Sequence, residues 1–247
     1  MRVDRICCTV EGEIAVLRMD DGKVNAIESA WCVELGAALD RVEADRYVKA
    51  VLLFGRAGCF SAGLDQKLLP TLSPAELRVT TQAFVSTMER VFLFPKPVLA
   101  VSGGHALAGG LMLYLASDLR FALDDADSRY GLPEVPQGIP LIGPTAAICC
   151  AAIPPVRHTE LLLHGRRLSA REAFEWGLVH ELAASGEALE ARALERASAL
   201  HGLDLTAYRA TKRALRAPLL EAARAAAEGV FSDVPKGNPF GELRRSP

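Results

Sequence analysis

Three short stretches of this chain hold residue types that could do chemistry together. Two are glycine-bearing turns, Gly58-Cys59-Phe60-Ser61-Ala62-Gly63-Leu64-Asp65 and Gly103-Gly104-His105-Ala106-Leu107-Ala108-Gly109-Gly110. Each follows an apolar run that reads as a buried strand, and each leads toward a helix. Glycine there lets the chain turn sharply and lets a ligand reach peptide N–H groups with no Cβ in the way. At a helix N-terminus those N–H groups are unpaired and lie at the positive end of the helix dipole. Two such turns from neighbouring strands could aim two donors at one oxygen, which is what an oxyanion hole requires. The third stretch runs from Tyr130 to Pro140, where one carboxylate, Glu134, stands among Leu132, Pro133, Val135 and Ile139. Such surroundings favour the neutral acid and raise its pKa toward the range useful for proton transfer.

Taken singly, each stretch also has a plain structural reading: glycine turns commonly do no more than reverse the chain, and a loop glutamate is commonly solvated. Other chemistries fit less well. The second turn is followed by no Gly-Lys-Ser/Thr and contains no Gly-x-Gly-x-x-Gly, which argues against a phosphate loop and a dinucleotide fold. Ser61 and Ser102 are not in a Gly-x-Ser-x-Gly elbow. His105 is a candidate base or a pocket-lining residue. His158, His164, His180 and His201 share no ligand spacing, so no metal is expected.

The elements that must position these residues are legible in outline. Arg5–Val10 and Glu13–Met19 alternate as strands around Glu11-Gly12, a hairpin. Ser29–Asp45 has helical spacing at Trp31, Leu35, Leu39 and Val42. Lys49–Phe54, Val98–Val101 and Asp118–Leu123 read as buried strands. Ser73-Pro74-Ala75-Glu76 and Ser169-Ala170-Arg171-Glu172 are capping boxes that open helices, and Gly177 ends the second of these. From Pro144 onward the signals turn helical, through Glu187–Leu200 and Leu205–Gly229. The run Pro235-Lys236-Gly237-Asn238-Pro239 cannot continue a helix, so a loose tail is expected after it. The plan is an α/β core followed by a helical C-terminal region.

The 247 residues suit one large domain, or one with a helical appendage. Half are hydrophobic and the formal net charge is −2, a balance that gives no basic footprint for nucleic acid or an anionic membrane. The longest apolar stretch, Leu107–Ala116, is far short of the ~20 residues of a membrane span. Residues 1–10 do not form a signal peptide. A cytoplasmic location is therefore expected. Cys7, Cys8, Cys32, Cys59, Cys149 and Cys150 lack CxxC spacing and read as small apolar fillers in a reducing compartment.

In combination the three stretches are far more specific than alone. Phe60-Ser61-Ala62-Gly63-Leu64-Asp65, then Ala108-Gly109-Gly110, then Gly131-Leu132-Pro133-Glu134, resembles the enoyl-CoA hydratase/isomerase (crotonase) family. Asp20-Asp21-Gly22-Lys23-Val24-Asn25-Ala26, Phe94-Pro95-Lys96-Pro97-Val98 and Ala170-Arg171-Glu172-Ala173 to Gly177-Leu178-Val179 match as well, in the family's order from residue 3 to about 230. The resemblance implies an α/β fold of the ClpP/crotonase type, a spiral of ββα units with a C-terminal helical trimerisation region. On that pattern residues 1–195 would form the core and 196–247 the helical region and tail, assembling as homotrimers or hexamers.

The resemblance also assigns roles by position. The peptide N–H groups of Leu64 and Gly109 become the oxyanion donors, and Glu134 the acid–base group. Leu64 departs from the small residue often found there, which a backbone donor tolerates. Lys23, Val24, Ala26, Ala62, Leu64, Asp65, Gln66, Lys67 and Gly109 fall where the CoA nucleotide, pantetheine and thioester are received, and no further cofactor is implied. Pro70–Phe92 and the residues around Leu141 are expected to wall the acyl pocket.

One departure matters most. Hydratases of the family carry two glutamates, and the position of the first is occupied here by Met112. Syn-addition of water is helped by two carboxylates, whereas a double-bond shift needs one base and an oxyanion hole. The sequence therefore favours isomerisation over hydration or another enolate reaction. A CoA-thioester-binding protein without catalysis is the alternative from another class. RNA binding, known for some relatives, is disfavoured by the acidic balance. Gln137, near Glu134, is a candidate for orienting a water or the carboxylate.

Overall fold

The computed structural model describes residues 5–230. The chain begins with the expected hairpin, β1 (Ile6–Glu11) and β2 (Ile14–Met19), which turns at Gly12 in the left-handed region. Then follow β3 (Ala26–Ile27), α1 (Ser29–Ala44), β4 (Ala50–Phe54), β5 (Gly58–Ser61), β6 (Gly63–Leu64) and α2 (Pro74–Phe92). After these come β7 (Val98–Ser102), β8 (Gly104–Leu107), α3 (Gly109–Ala116), β9 (Leu119–Leu123) and β10 (Tyr130–Gly131). The last elements are α4 (Gly143–Ala152), α5 (Ala170–Glu175), β11 (Glu181–Ala183), α6 (Gly186–Ser198) and α7 (Leu205–Val230).

The main sheet has the order β1-β2-β4-β7-β9-β11 and is parallel from β2 onward. Parallel strands covered on both faces read as near-continuous apolar runs, as in Ala50-Val51-Leu52-Leu53-Phe54, all buried. Period-two alternation splits each strand between two cores. Val51, Leu53, Val98 and Ala100 face the large core under α1, α2 and α3. Leu52, Phe54, Leu99 and Val101 face a smaller one with Leu189, Ala193 and Ala197 of α6. Residue 195 lies inside α6, and this helix packs as a whole on the back of the sheet.

Two small sheets, β10-β8-β5 and β3-β6, accompany the main sheet, and α3 contacts β5, β6 and β8 of them. Both capping boxes form: Ser73 Oγ accepts from Glu76 N–H at 3.3 Å while Glu76 Oε2 accepts from Ser73 N–H at 2.8 Å, and Ser169 with Glu172 does the same. All six cysteines are free; Cys32, Cys59 and Cys149 are buried fillers as expected, but Cys7 and Cys150 are exposed because they lie on outward faces of β1 and α4. No single described helix is long and apolar enough to cross a membrane. The tail expected after Pro235 lies outside the described residues.

Helix α7 runs through Pro218 and packs on α4. It is fixed to the core by Asp118, at the head of β9. The Asp118 carboxylate accepts from Lys212 Nζ at 2.7 Å and from the Val98 N–H at 2.7 Å, and forms an ion pair with Arg216 at 2.8 Å. The Lys212 side chain is only 5% exposed, so removing its carboxylate leaves a buried charge without a partner. Asp118→Ala is expected to lower the unfolding free energy by about 3 kcal/mol. The check is the urea midpoint at unchanged m-value.

Candidate active site

The first turn is built by locking two loops together. Asn25, buried and left-handed at φ 50°, donates through Nδ2 to the carbonyls of Met19 at 2.9 Å and Phe60 at 3.0 Å. Asp21 accepts from the N–H groups of Lys23, Asn25 and Ala26 at 2.7–2.9 Å; those hydrogen bonds, with Arg56 nearby, outweigh partial burial and hold its carboxyl below the usual range. Ala62 N–H donates to Val24 O, and Ala26 pairs with Gly63 in the β3–β6 ladder. Ser61 Oγ donates to Asn25 O and accepts from Gly63 N–H, while Ser102 Oγ donates to Gly104 O and receives Tyr130 Oη–H. Both serine hydroxyls thus hold the turns in shape.

Successive strand N–H groups point to opposite sides. Asp65 N–H donates to Ile27 O on β3, at 3.1 Å, so the Leu64 N–H before it faces away from β3. The second turn arrives beside it. Ala108 takes the unusual φ of 50° for a non-glycine residue, its N–H bound to Gly131 O, and α3 starts at Gly109. As the first helical residue, Gly109 has no intrahelical acceptor for its N–H. The two turns touch: a Cβ on Gly63, itself at φ +86°, would lie 2.7 Å from the Gly109 nitrogen and 3.0 Å from Ala108 Cβ. The junction thus sets the peptide groups that follow Gly63 and Ala108 next to each other.

Leu64, Gly109, Met112 and Glu134 all line one cavity of about 860 Å³. Glu134 sits where β10 gives way to a short helical turn, Val135–Gln137, and is 7% exposed. Its Oε2 is buried with no hydrogen-bond partner. Burial raises its carboxyl to about 7, opposed only by a hydrogen bond from its own backbone. Met112, on the first turns of α3 and 4% exposed, presents a thioether to the same space.

The other expected contacts divide. Gln66 lines the cavity; Lys23, Val24, Ala26, Ala62, Asp65 and Lys67 do not, and belong to the joined loops leading to it. Asp65 Oδ1 accepts from Lys67 N–H at 2.8 Å, which shapes that loop. The segment of α2 expected to wall the pocket does so through Leu77, Phe84 and Val85, and Leu141 joins it. His105 does not line the cavity; its Nδ1 accepts from Arg129 N–H at 3.0 Å. Gln137 is outside the lining too. The α2 segment also contributes Arg78, Gln82 and Glu89, and Arg224 of α7, which sequence reasoning missed, joins them in the wall. On an amphipathic helix such a residue reads as part of a solvated face, and nothing in the sequence marks the cavity it borders.

A crotonase-type core, two abutting N–H-bearing turns and a desolvated carboxylate in one cavity define a class of thioester enzymes. The sequence model described as enoyl-CoA hydratase/isomerase matches residues 9–238, and the chain belongs to that family. A Thermus thermophilus "Putative enoyl-CoA hydratase" is 36% identical over 212 residues, 84% of this chain and 82% of that protein. An apo structure of a Mycobacterium tuberculosis enoyl-CoA isomerase aligns with TM-score 0.83 at 31% identity, covering 93% of this chain and 98% of that one. Human mitochondrial delta3-delta2-enoyl-CoA isomerase shares the fold, with TM-score 0.86 at 23% identity over 97% and 95% of the two chains.

Proposed function

We propose that this protein shifts the double bond of an enoyl-CoA thioester, with Glu134 as the proton shuttle and the Leu64 and Gly109 N–H groups as oxyanion donors. The observation that carries this reading is the unpartnered Glu134 carboxylate in a cavity also lined by Met112, the residue that stands where the family resemblance implies a hydratase's first glutamate. The substrate carbonyl accepts from the two peptide groups. Glu134 takes a proton from the carbon next to the thioester, the charge passes to the carbonyl oxygen as an enolate, and Glu134 returns the proton two carbons away. No group beyond the substrate's own CoA is needed. The other lining carboxylate, Glu89, lies against Arg224.

Lys23 to Ala26 and Ala62 to Lys67 are assigned to the CoA nucleotide and pantetheine. The exposed Leu215 and Leu219 of α7 support assembly into a homotrimer, alone or paired as a hexamer, which sedimentation analysis checks. The reaction is tested by supplying purified protein with 3-enoyl-CoA and 2-enoyl-CoA: isomerisation should dominate, and hydration as fast as in two-glutamate relatives would defeat the reading. Met112→Glu restores the second carboxylate and is expected to raise hydration of 2-enoyl-CoA at least about tenfold, part of the 10²–10⁴ that a positioned acid–base group contributes.

A further inference from the structure

The large cavity carries charged side chains in its wall besides Glu134, namely Arg78, Glu89 and Arg224. On its α7 side it meets a smaller cavity of about 270 Å³, and both share Ser86, Glu89 and Arg224 in their walls. The smaller cavity carries four arginines, Arg90, Arg209, Arg213 and Arg224, against two carboxylates, Glu43 and Glu89. Arg90 is committed to Asp40 at 2.5 Å and to Gly36 O at 3.1 Å. Arg209 and Arg213 have no carboxylate within ion-pair distance among the described residues. At the partition, Arg224 Nη2 comes within 2.7 Å of Glu89 Oε1, yet that buried oxygen receives no aligned hydrogen bond.

A solvated charged face would account for arginines alone. It does not account for a surplus of guanidinium groups in a cavity that adjoins a mostly apolar one across an ion pair of poor geometry. The guanidinium fork matches a carboxylate in two parallel hydrogen bonds. A ligand carboxylate that reaches the shared wall from the large cavity can therefore replace the misaligned Glu89 contact.

We infer that the enzyme accepts acyl-CoA thioesters whose acyl chain ends in a carboxylate, which passes the Glu89–Arg224 pair and is received by Arg209 and Arg213. This rests on the reading of the large cavity as the acyl site. It adds a substrate class that Glu134 and the oxyanion donors do not specify.

The test measures binding by calorimetry, so that it does not depend on turnover. Matched series of saturated acyl-CoA and ω-carboxyacyl-CoA of increasing chain length are titrated into the full chain. Once the chain is long enough to reach Ser86, the ω-carboxylate should bind about tenfold tighter than its methyl-ended match, as expected for a hydrogen bond to a charged group. Arg209 and Arg213 are exposed and line the second cavity but not the one that holds Glu134. The double variant Arg209→Ala/Arg213→Ala should fold normally, remove the preference and leave methyl-ended binding unchanged. Glu89→Gln frees Arg224 and should enlarge the preference. Equal binding of both series at every length overturns the inference, as does a preference that survives the double variant. If neither series binds, the acyl-CoA reading itself fails.

Discussion

Glu134→Gln is expected to lower turnover of a 3-enoyl-CoA by about 10³, within the range that a positioned acid–base group contributes, with little change in KM. The amide keeps the volume and the loop, but it cannot carry a proton between two carbons. The wild-type pH profile follows from the same residue. Burial raises its carboxyl to about 7, and the reaction starts from the carboxylate, so kcat/KM should rise through pH about 7 to a plateau on the alkaline side. A profile already flat from pH 5 upward would remove Glu134 from the proton transfer.

The linkage to stability runs opposite to activity. The folded-state carboxyl is raised above its unfolded value, so its contribution is fully present below the unfolded pKa and is lost as pH rises through about 7. At pH 8 the wild type holds a buried carboxylate with no partner, at a cost of up to about 3 kcal/mol. Glu134→Gln should therefore be more stable than wild type at pH 8 and nearly equal to it at pH 4. A thermal melt at both pH values checks this, and it separates lost chemistry from lost folding.

Gly63→Ala is expected to cost about 10²–10³ in kcat although residue 63 touches no reacting atom. Its methyl would fall 2.7 Å from the Gly109 nitrogen and 3.1 Å from Leu107 O, and neither backbone atom can swing aside. The position is also left-handed, which disfavours any residue with a Cβ. The two turns must part, and donors aimed at one oxygen then diverge. Acyl-CoA affinity should fall less than kcat, because the clash falls on the Gly109 and Leu107 backbones while the side chains that wall the acyl pocket lie elsewhere. Steady-state kinetics with a separate binding titration resolve the two. Equal losses in both would mean that Gly63→Ala damages the whole cavity and not the alignment of the donors.

The strands and helices of the core could be read directly because their signals are local. The fully apolar runs at Ala50–Phe54 and Val98–Ser102, the spacing in α1 and the two capping boxes each need only a few neighbouring residues to be physically required. The three stretches that bear chemistry were legible on the same terms. The short strands β3, β5, β6, β8 and β10 were not. Two to four residues rich in glycine and alanine carry no periodicity, and they become strands only because another segment supplies their hydrogen bonds.

What the sequence by itself determined, then, is the family, the layered core and the identity of the one carboxylate set among apolar residues. Only the tertiary structure decided that Glu134 is buried without a partner in a cavity wall, that the Gly63 and Gly109 backbones meet, that His105 is outside that wall, and that Glu89 and Arg224 border the cavity. Burial, backbone contact and cavity walls belong to segments distant in the chain, and no single segment encodes them.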